Sequence, residues 1–238
     1  MNRGKIISIE GLDCSFKETN AKNLKMFLDN CLDVPVNLVS FPRHQDKAGY
    51  FVEKYLHDEY HDLTPEQVIM TYAMDRFDYC KSIDIDDRLN NGEWFIFDRY
   101  VNSNLIYQYP NKKDYNPDKL RDFIYNIEYD ILGLPKPDII IALMTDFELI
   151  EQKLEEKHKE TPSDKHESDL NYLKKVYRLY NILIDRYNWD MIDVIRDKKT
   201  HKPKDQQVIL FEIVETLKKK GIEDPVAYYQ KEVDKLNS

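Results

Sequence analysis

Cysteine is scarce, with three residues in 238. Cys14, Cys31 and Cys80 are odd in number and lack metal-type spacing, so neither a disulfide framework nor a zinc site is indicated. A reducing cytoplasm is the expected setting. No apolar run approaches the ~20 residues that span a bilayer. The short run at residues 6–9 lacks both the length and the small-residue cleavage site of a signal peptide, so no membrane is expected as a partner. An excess of positive charge is also missing. Lys plus Arg is 35 against 44 Asp plus Glu, a net charge of −9. That disfavours a nucleic-acid polymer as ligand but leaves room for a small anion held by a few placed cations and backbone amides. Internal repeats, low-complexity segments and domain linkers are absent.

What is present is 42% hydrophobic residues, enough for a sizeable core. Five short runs rich in β-branched or aromatic residues recur at 5–10, 35–41, 93–98, 138–144 and 191–195. Being nearly continuous, they read as parallel strands covered on both faces. Segments with helical spacing separate them. One begins at Thr64-Pro65-Glu66-Gln67, a capping box with proline at the first helical position, and carries Val68, Ile69, Tyr72, Ala73, Phe77 and Cys80 on one face. Others start near Lys17, run over 168–187 with Leu170, Leu173, Val176, Tyr177 and Tyr180 inward, and follow Pro203 with Leu210, Ile213, Val214 and Leu217. The alternation predicts an α/β fold with an open five-stranded parallel sheet flanked by helices. Residues 1–203 form the expected domain, with 204–238 a helical extension packed on it. Two polar stretches, 109–116 and 155–168, read as mobile loops.

The first strand runs into Gly11-Leu12-Asp13-Cys14-Ser15-Phe16-Lys17-Glu18-Thr19 and then a helix. That is where a phosphate loop of pattern G-x-x-x-x-G-K-[ST] would lie. Backbone N–H groups and the helix N-terminus hold phosphate there, the lysine bridges the terminal phosphates, and the hydroxyl ligates Mg²⁺. Gly11 and Lys17 keep the spacing. Phe16 replaces the second glycine, which restricts the backbone, and Glu18 replaces the hydroxyl residue, which brings an anion near the phosphates. Thr19 is one residue, about 100° of helix, from the usual ligand position.

Further motifs follow in order: Phe41-Pro42-Arg43, Tyr72-Ala73-Met74-Asp75-Arg76, Asp98-Arg99-Tyr100-Val101-Asn102-Ser103-Asn104 with Tyr107-Gln108, and Gly133-Leu134-Pro135-Lys136-Pro137-Asp138. With the opening loop and the segment 164–180, they make the chain resemble the thymidylate kinase family of nucleoside monophosphate kinases. The resemblance implies a P-loop kinase fold and ATP-dependent phosphorylation of thymidine monophosphate, with Mg²⁺. It assigns Gly11, Ser15, Phe16, Lys17, Glu18 and Thr19 to ATP. Arg43, Arg76 and Arg99 go to the acceptor phosphate and the transferring group, Phe41 and Tyr72 to the acceptor, with Tyr72 stacking on its base. Ser103, Asn104 and Gln108 meet the thymine edge, Asp13 the deoxyribose 3′-hydroxyl, and Asp98 water or Mg²⁺. Cys14 supplies no cation, so the implied subtype takes its catalytic cation from the lid. That lid offers Lys153, Lys157, Lys159 and Lys165, with Lys157 and Lys159 preferred. The resemblance also implies a homodimer through helices near 64–90 and after Lys17, with Met70, Met74 and Ile83 as apolar support. Two alternatives stay open: a nucleotide-binding sensor or partner subunit impaired in catalysis, motivated by Phe16 and Glu18, and a kinase for another deoxynucleoside monophosphate.

Overall fold

The computed structural model describes residues 2–44, 46–108, 110, 116–160 and 165–222. The sheet has five parallel strands: β1 (Ile6–Glu10), β2 (Val36–Ser40), β3 (Trp94–Asp98), β4 (Ile139–Met144) and β5 (Asp190–Asp193), in the order β2-β3-β1-β4-β5. The five expected runs are thus the five strands. The last is shorter than expected, because the chain leaves β5 at Val194 and enters an antiparallel pair, β6 (Ile195–Asp197) with β7 (Lys202–Pro203).

Helices cover both faces, and the two-residue period of β1 sorts the core. Ile7 and Ile9 pack with Leu24 and Leu28 of α1 (Lys17–Cys31) and with Ile209, Ile213 and Leu217 of α9 (Gln206–Lys219). Ile6 packs on the other face, with α3 (Pro65–Ser82), α5 (Val101–Tyr107) and α8 (Leu170–Tyr187). Between them lie α2 (Tyr50–Leu56), α4 (Ile85–Asn90), α6 (Pro117–Tyr125), a widened helical turn at Asn126–Ile131 and α7 (Phe147–Lys157). The α3 start forms as the sequence predicts: Gln67 N donates to Thr64 Oγ1 at 3.3 Å and Thr64 N to Gln67 Oε1 at 2.8 Å. Leu170 departs from expectation. It is the first residue of α8, before the buried stripe is established, and stays exposed. Within the two polar stretches, residues 109, 111–115 and 161–164 lie outside the described residues, as does 223–238 of the C-terminal segment.

Two features position the site. The β1–β3 register sets Ile9 opposite Asp98, so Glu10 and Arg99 emerge level at the carboxyl edge, where ligands bind in open α/β sheets. The segment after β2 is tied to α3 by Arg43. Its N–H and Nε donate to the fully buried Asp75 at 2.9 and 2.8 Å, and its Nη1 and Nη2 to Asp46 and Asp78.

Asp75→Ala should therefore destabilise the fold by about 2 kcal/mol, because it removes two charge-assisted hydrogen bonds from Arg43 and leaves the guanidinium to the more exposed Asp46 and Asp78. Thr64→Ala should cost only about 1 kcal/mol, the loss of a cap. Denaturant midpoints that reverse this order would show that the Arg43 tie does not hold the segment.

Candidate active site

One cavity of about 640 Å³ opens at the carboxyl edge of the sheet. Its floor is the loop between β1 and α1. Gly11 has φ +151°, and a Cβ there would lie 2.6 Å from both Leu143 O and Ser15 Oγ, so no side chain fits. Phe16 has φ +65°, the left-handed conformation that favours glycine. The backbone shape of the missing second glycine is thus kept by a residue that pays about 1–2 kcal/mol of strain for it, with the ring packed against the α1–α9 core. Ser15 is buried with its hydroxyl unpartnered among the described residues. Lys17 is buried, and its Nζ donates to Leu12 O at 2.5 Å. Burial, then the nearby Arg99, lower its pKa to about 8. Glu18 is exposed, lines the cavity and pairs with Lys22 one turn on at 2.6 Å, which offsets its charge there. Thr19 is exposed at the cavity rim.

Arg99, at φ +68°, closes this loop from β3. Its Nη1 donates to Gly11 O at 2.9 Å and its Nη2 to Asp13 Oδ1 at 2.7 Å, while the guanidinium lies 4.9 Å from the Tyr107 ring centre. Burial alone would raise the Asp13 pKa. Arg99 and Lys17 instead hold it well below the usual carboxylate range. Asp98 is buried beside them, with Ser40 Oγ at 3.4 Å from Oδ2 and no partner for Oδ1 among the described residues. Behind Arg99, the fully buried Glu10 accepts from Ser103 Oγ at 2.6 Å, Tyr100 N at 3.0 Å and Ser8 Oγ at 3.1 Å. Burial pushes its pKa up against those bonds.

The cavity is also lined by Phe41, Tyr72, Arg76, Asn104 and Gln108. Phe41 is buried, with Phe97 and Tyr79 edge-on to its ring. Both amide atoms of Gln108 are buried without partners among the described residues, the signature of a group built to meet a ligand.

Four expected site residues have their polar groups engaged elsewhere or lie off the cavity. Arg43 does not line the cavity; its N–H groups go to Asp75, Asp46 and Asp78. Arg76 lines the cavity, but its Nε and Nη2 are forked on Glu128 at 2.6 and 2.7 Å. Ser103 lines the cavity, but its hydroxyl is donated to Glu10. Lys159 is exposed beyond the end of α7 and does not line the cavity, because two residues past Lys157 is about 200° around a helix. Lys153 and Lys157, four apart, both do.

The 155–168 run was expected to bury little, yet His166 and Glu167 are buried. His166 stacks on Tyr172 at 4.9 Å and lines the cavity. Glu167 accepts from Lys157 Nζ at 2.6 Å. Lys165 is tied to Asp58, and its N–H to Leu56 O. Pairing makes burial of these polar groups tolerable, and composition alone does not reveal such pairs. Glu10, Glu128 and His166 are the contributors sequence reasoning missed. Only the 153/157 spacing offered a signal for Lys153.

Residues 9–203 match the family model described as thymidylate kinase. The chain is 27% identical over 220 residues to a thymidylate kinase of Brachyspira hyodysenteriae, covering 92% of this chain and 96% of that one. It is 28% identical over 199 residues to one of Plasmodium falciparum, covering 82% and 84%. Among solved structures, thymidylate kinase from Candida albicans superposes with a TM-score of 0.67 at 24% identity, covering 92% of this chain and 93% of that one. At that identity the likeness speaks to the fold. No helix of the described residues is long and apolar enough to cross a membrane.

The Lys17 environment carries a pH prediction. A pKa of about 8 leaves the amine increasingly neutral above that pH. The affinity of the free protein for a non-hydrolysable ATP analogue should fall by up to about tenfold per unit above pH 8, the limit for one linked proton. Lys17→Arg should flatten the profile. Stability runs the other way. The cost of burying the charged amine is present below about pH 8 and is relieved as pH rises toward the unfolded lysine range. Calorimetric affinities equal at pH 7 and 9.5 would remove Lys17 from the phosphate site.

Proposed function

Because the chain belongs to the thymidylate kinase family, a family of nucleoside monophosphate kinases, we propose that it transfers the γ-phosphoryl group of ATP to thymidine monophosphate. The observation that carries this reading is that one cavity is lined by two chemically distinct sets. Lys17, Asp98, Arg99 and Lys157 make the first, and Tyr72, Arg76, Asn104 and Gln108 the second. A triphosphate suits the first set and a planar base with an uncharged polar edge suits the second.

Phosphoryl transfer needs alignment and charge stabilisation more than covalent work. An acceptor phosphate oxygen attacks the γ-phosphorus, the bond to the β–γ bridging oxygen breaks, and ADP leaves. The loop amides and Lys17 hold the donor phosphates. Arg99, fixed by Gly11 O and Asp13, faces the charge that develops on the transferring group. Lys157 reaches the same region and exchanges Glu167 for phosphate. The unpartnered Asp98 Oδ1 fits a Mg²⁺ ion, which would neutralise charge on the β- and γ-phosphates. The Asp13 carboxylate is the group for the deoxyribose hydroxyl, and Tyr72 for the base face. Closure of the 155–168 segment over the phosphates belongs to the same reading, as does a reducing compartment suited to three free thiols. The glycine-like Phe16 backbone and the Glu18–Lys22 pair favour an active loop over the impaired alternative.

We also propose a homodimer through the outer face of α3, where Met70 and Met74 are exposed one turn apart. Ile83 packs inward, and α1 covers the opposite face of the sheet, so neither extends that patch.

A coupled assay with ATP and each deoxynucleoside monophosphate should show thymidine monophosphate as the fastest acceptor. Faster turnover of a purine monophosphate would overturn the assignment. Arg99→Ala should lower kcat by about a hundredfold or more, and Lys157→Ala should lower kcat more than it raises either KM; full kcat in Lys157→Ala would place the catalytic cation elsewhere. Light scattering should give twice the 28.6 kDa chain mass, and Met74→Asp should return it to the monomer. A wild-type monomer at micromolar concentration contradicts the dimer.

A further inference from the structure

Glu128 is fully buried and lies behind the second set of cavity-lining residues, in the widened turn Asn126–Ile131. That turn closes with Leu132 N donating to Ile127 O, five residues back, and Leu134 N donates to Glu128 O at 2.9 Å. The extra residue in the turn presents the Glu128 side chain to α3 and α5 together. Its Oε2 accepts from Arg76 Nε at 2.6 Å. Its Oε1 accepts from Arg76 Nη2 at 2.7 Å and from Asn104 Nδ2 at 2.9 Å. Asn104 Nδ2 also donates to Ile69 O at 3.2 Å.

One carboxylate therefore orients two cavity-lining side chains. The fork on Arg76 uses Nε and Nη2, so Nη1 is the guanidinium nitrogen left out of the pairing. Anchoring Nδ2 of Asn104 fixes the amide so that Oδ1 takes no part in the network. Without Glu128, the guanidinium would be an unpaired buried cation, and Asn104 would be held only by its 3.2 Å bond to Ile69 O. Gln108, with both amide atoms unpartnered, can donate or accept. The polarity of the pocket edge is thus decided at Arg76 and Asn104.

We propose that Glu128 is a specificity-determining positioning residue: it orients Arg76 and Asn104 so that they present a fixed donor and a fixed acceptor, which selects a pyrimidine with a carbonyl at C4 over one with an amino group there. The inference rests on the proposed acceptor role of this cavity. An N–H donor aimed at C4 pairs with a carbonyl oxygen and is left unpaired opposite an amino group, and a site with buried polar groups rejects the base that leaves them unpaired.

The test compares kcat/KM for thymidine monophosphate and deoxycytidine monophosphate in the wild-type chain and in Glu128→Gln. The glutamine amide would set an N–H donor against N–H donors of Arg76 or Asn104. The ratio of the two kcat/KM values should fall about tenfold to a hundredfold, while the KM for ATP stays within about twofold. Where Glu128→Gln does not fold, Glu128→Asp keeps Arg76 and the charge but withdraws the carboxylate by one methylene, and it should lower the same ratio. A folded variant that keeps the wild-type ratio overturns the role of Glu128 and leaves the kinase assignment intact. A wild-type chain that turns over neither nucleotide overturns the kinase reading and Glu128's role with it.

Discussion

The site depends on one guanidinium. Arg99 leaves β3 in a left-handed conformation and reaches across to the neighbouring strand, where it holds Gly11 O and the Asp13 carboxylate. Without it the β1–α1 loop would have no charged tie to the rest of the carboxyl edge. With it, the β1–α1 loop and the strand end that carries Asp98 form one surface. The register makes this possible, because Ile9 opposite Asp98 leaves Glu10 and Arg99 level. Glu10 completes the arrangement from behind by taking the Tyr100 N–H and the Ser103 hydroxyl. A carboxylate so deeply buried is tolerable because several donors converge on it and a guanidinium lies close by.

Much of the fold was legible because the local signals agree with one another. The strands are short and rich in β-branched or aromatic residues, β1 and β3 are buried on both faces, and the Thr64 box starts its helix as written. The phosphate loop was legible for another reason: Gly11 and Lys17 hold positions that geometry constrains, and Phe16 disguises that geometry without abolishing it. Residue type could not show that Phe16 accepts a positive φ. The local pattern carries a strong signal against it, and a hydrophobic contact on the α1–α9 side accompanies it.

The arginines were the least legible. Arg43, Arg76 and Arg99 look alike in the sequence, each with carboxylates near it in the fold. Their roles separate by which carboxylates meet them: Asp75 and Asp78 from α3 for Arg43, Glu128 from a distant turn for Arg76, and Asp13 from the facing loop for Arg99. Only the third pair has both members among the cavity-lining residues. Glu128 and Asp13 are 52 and 86 residues from their partners, separations over which spacing carries no information.

A net charge of −9 and an anionic ligand are reconciled by the same pairing. The cations around the cavity are already engaged: Arg99 with Asp13, Lys157 with Glu167 and Lys17 with a backbone carbonyl. Such pairing limits the repulsion that clustered bare cations would suffer before a ligand arrives. It also makes phosphate binding an exchange of partners rather than a simple gain, so the net attraction for any single anion is modest. A ligand that reaches Lys17, Arg99 and Lys157 together gains more than one that reaches any of them alone. On the proposed kinase reading, discrimination between a full triphosphate and stray phosphate follows from the separation of the cations, one at the start of α1, one after the end of β3 and one on α7, without any excess of positive charge.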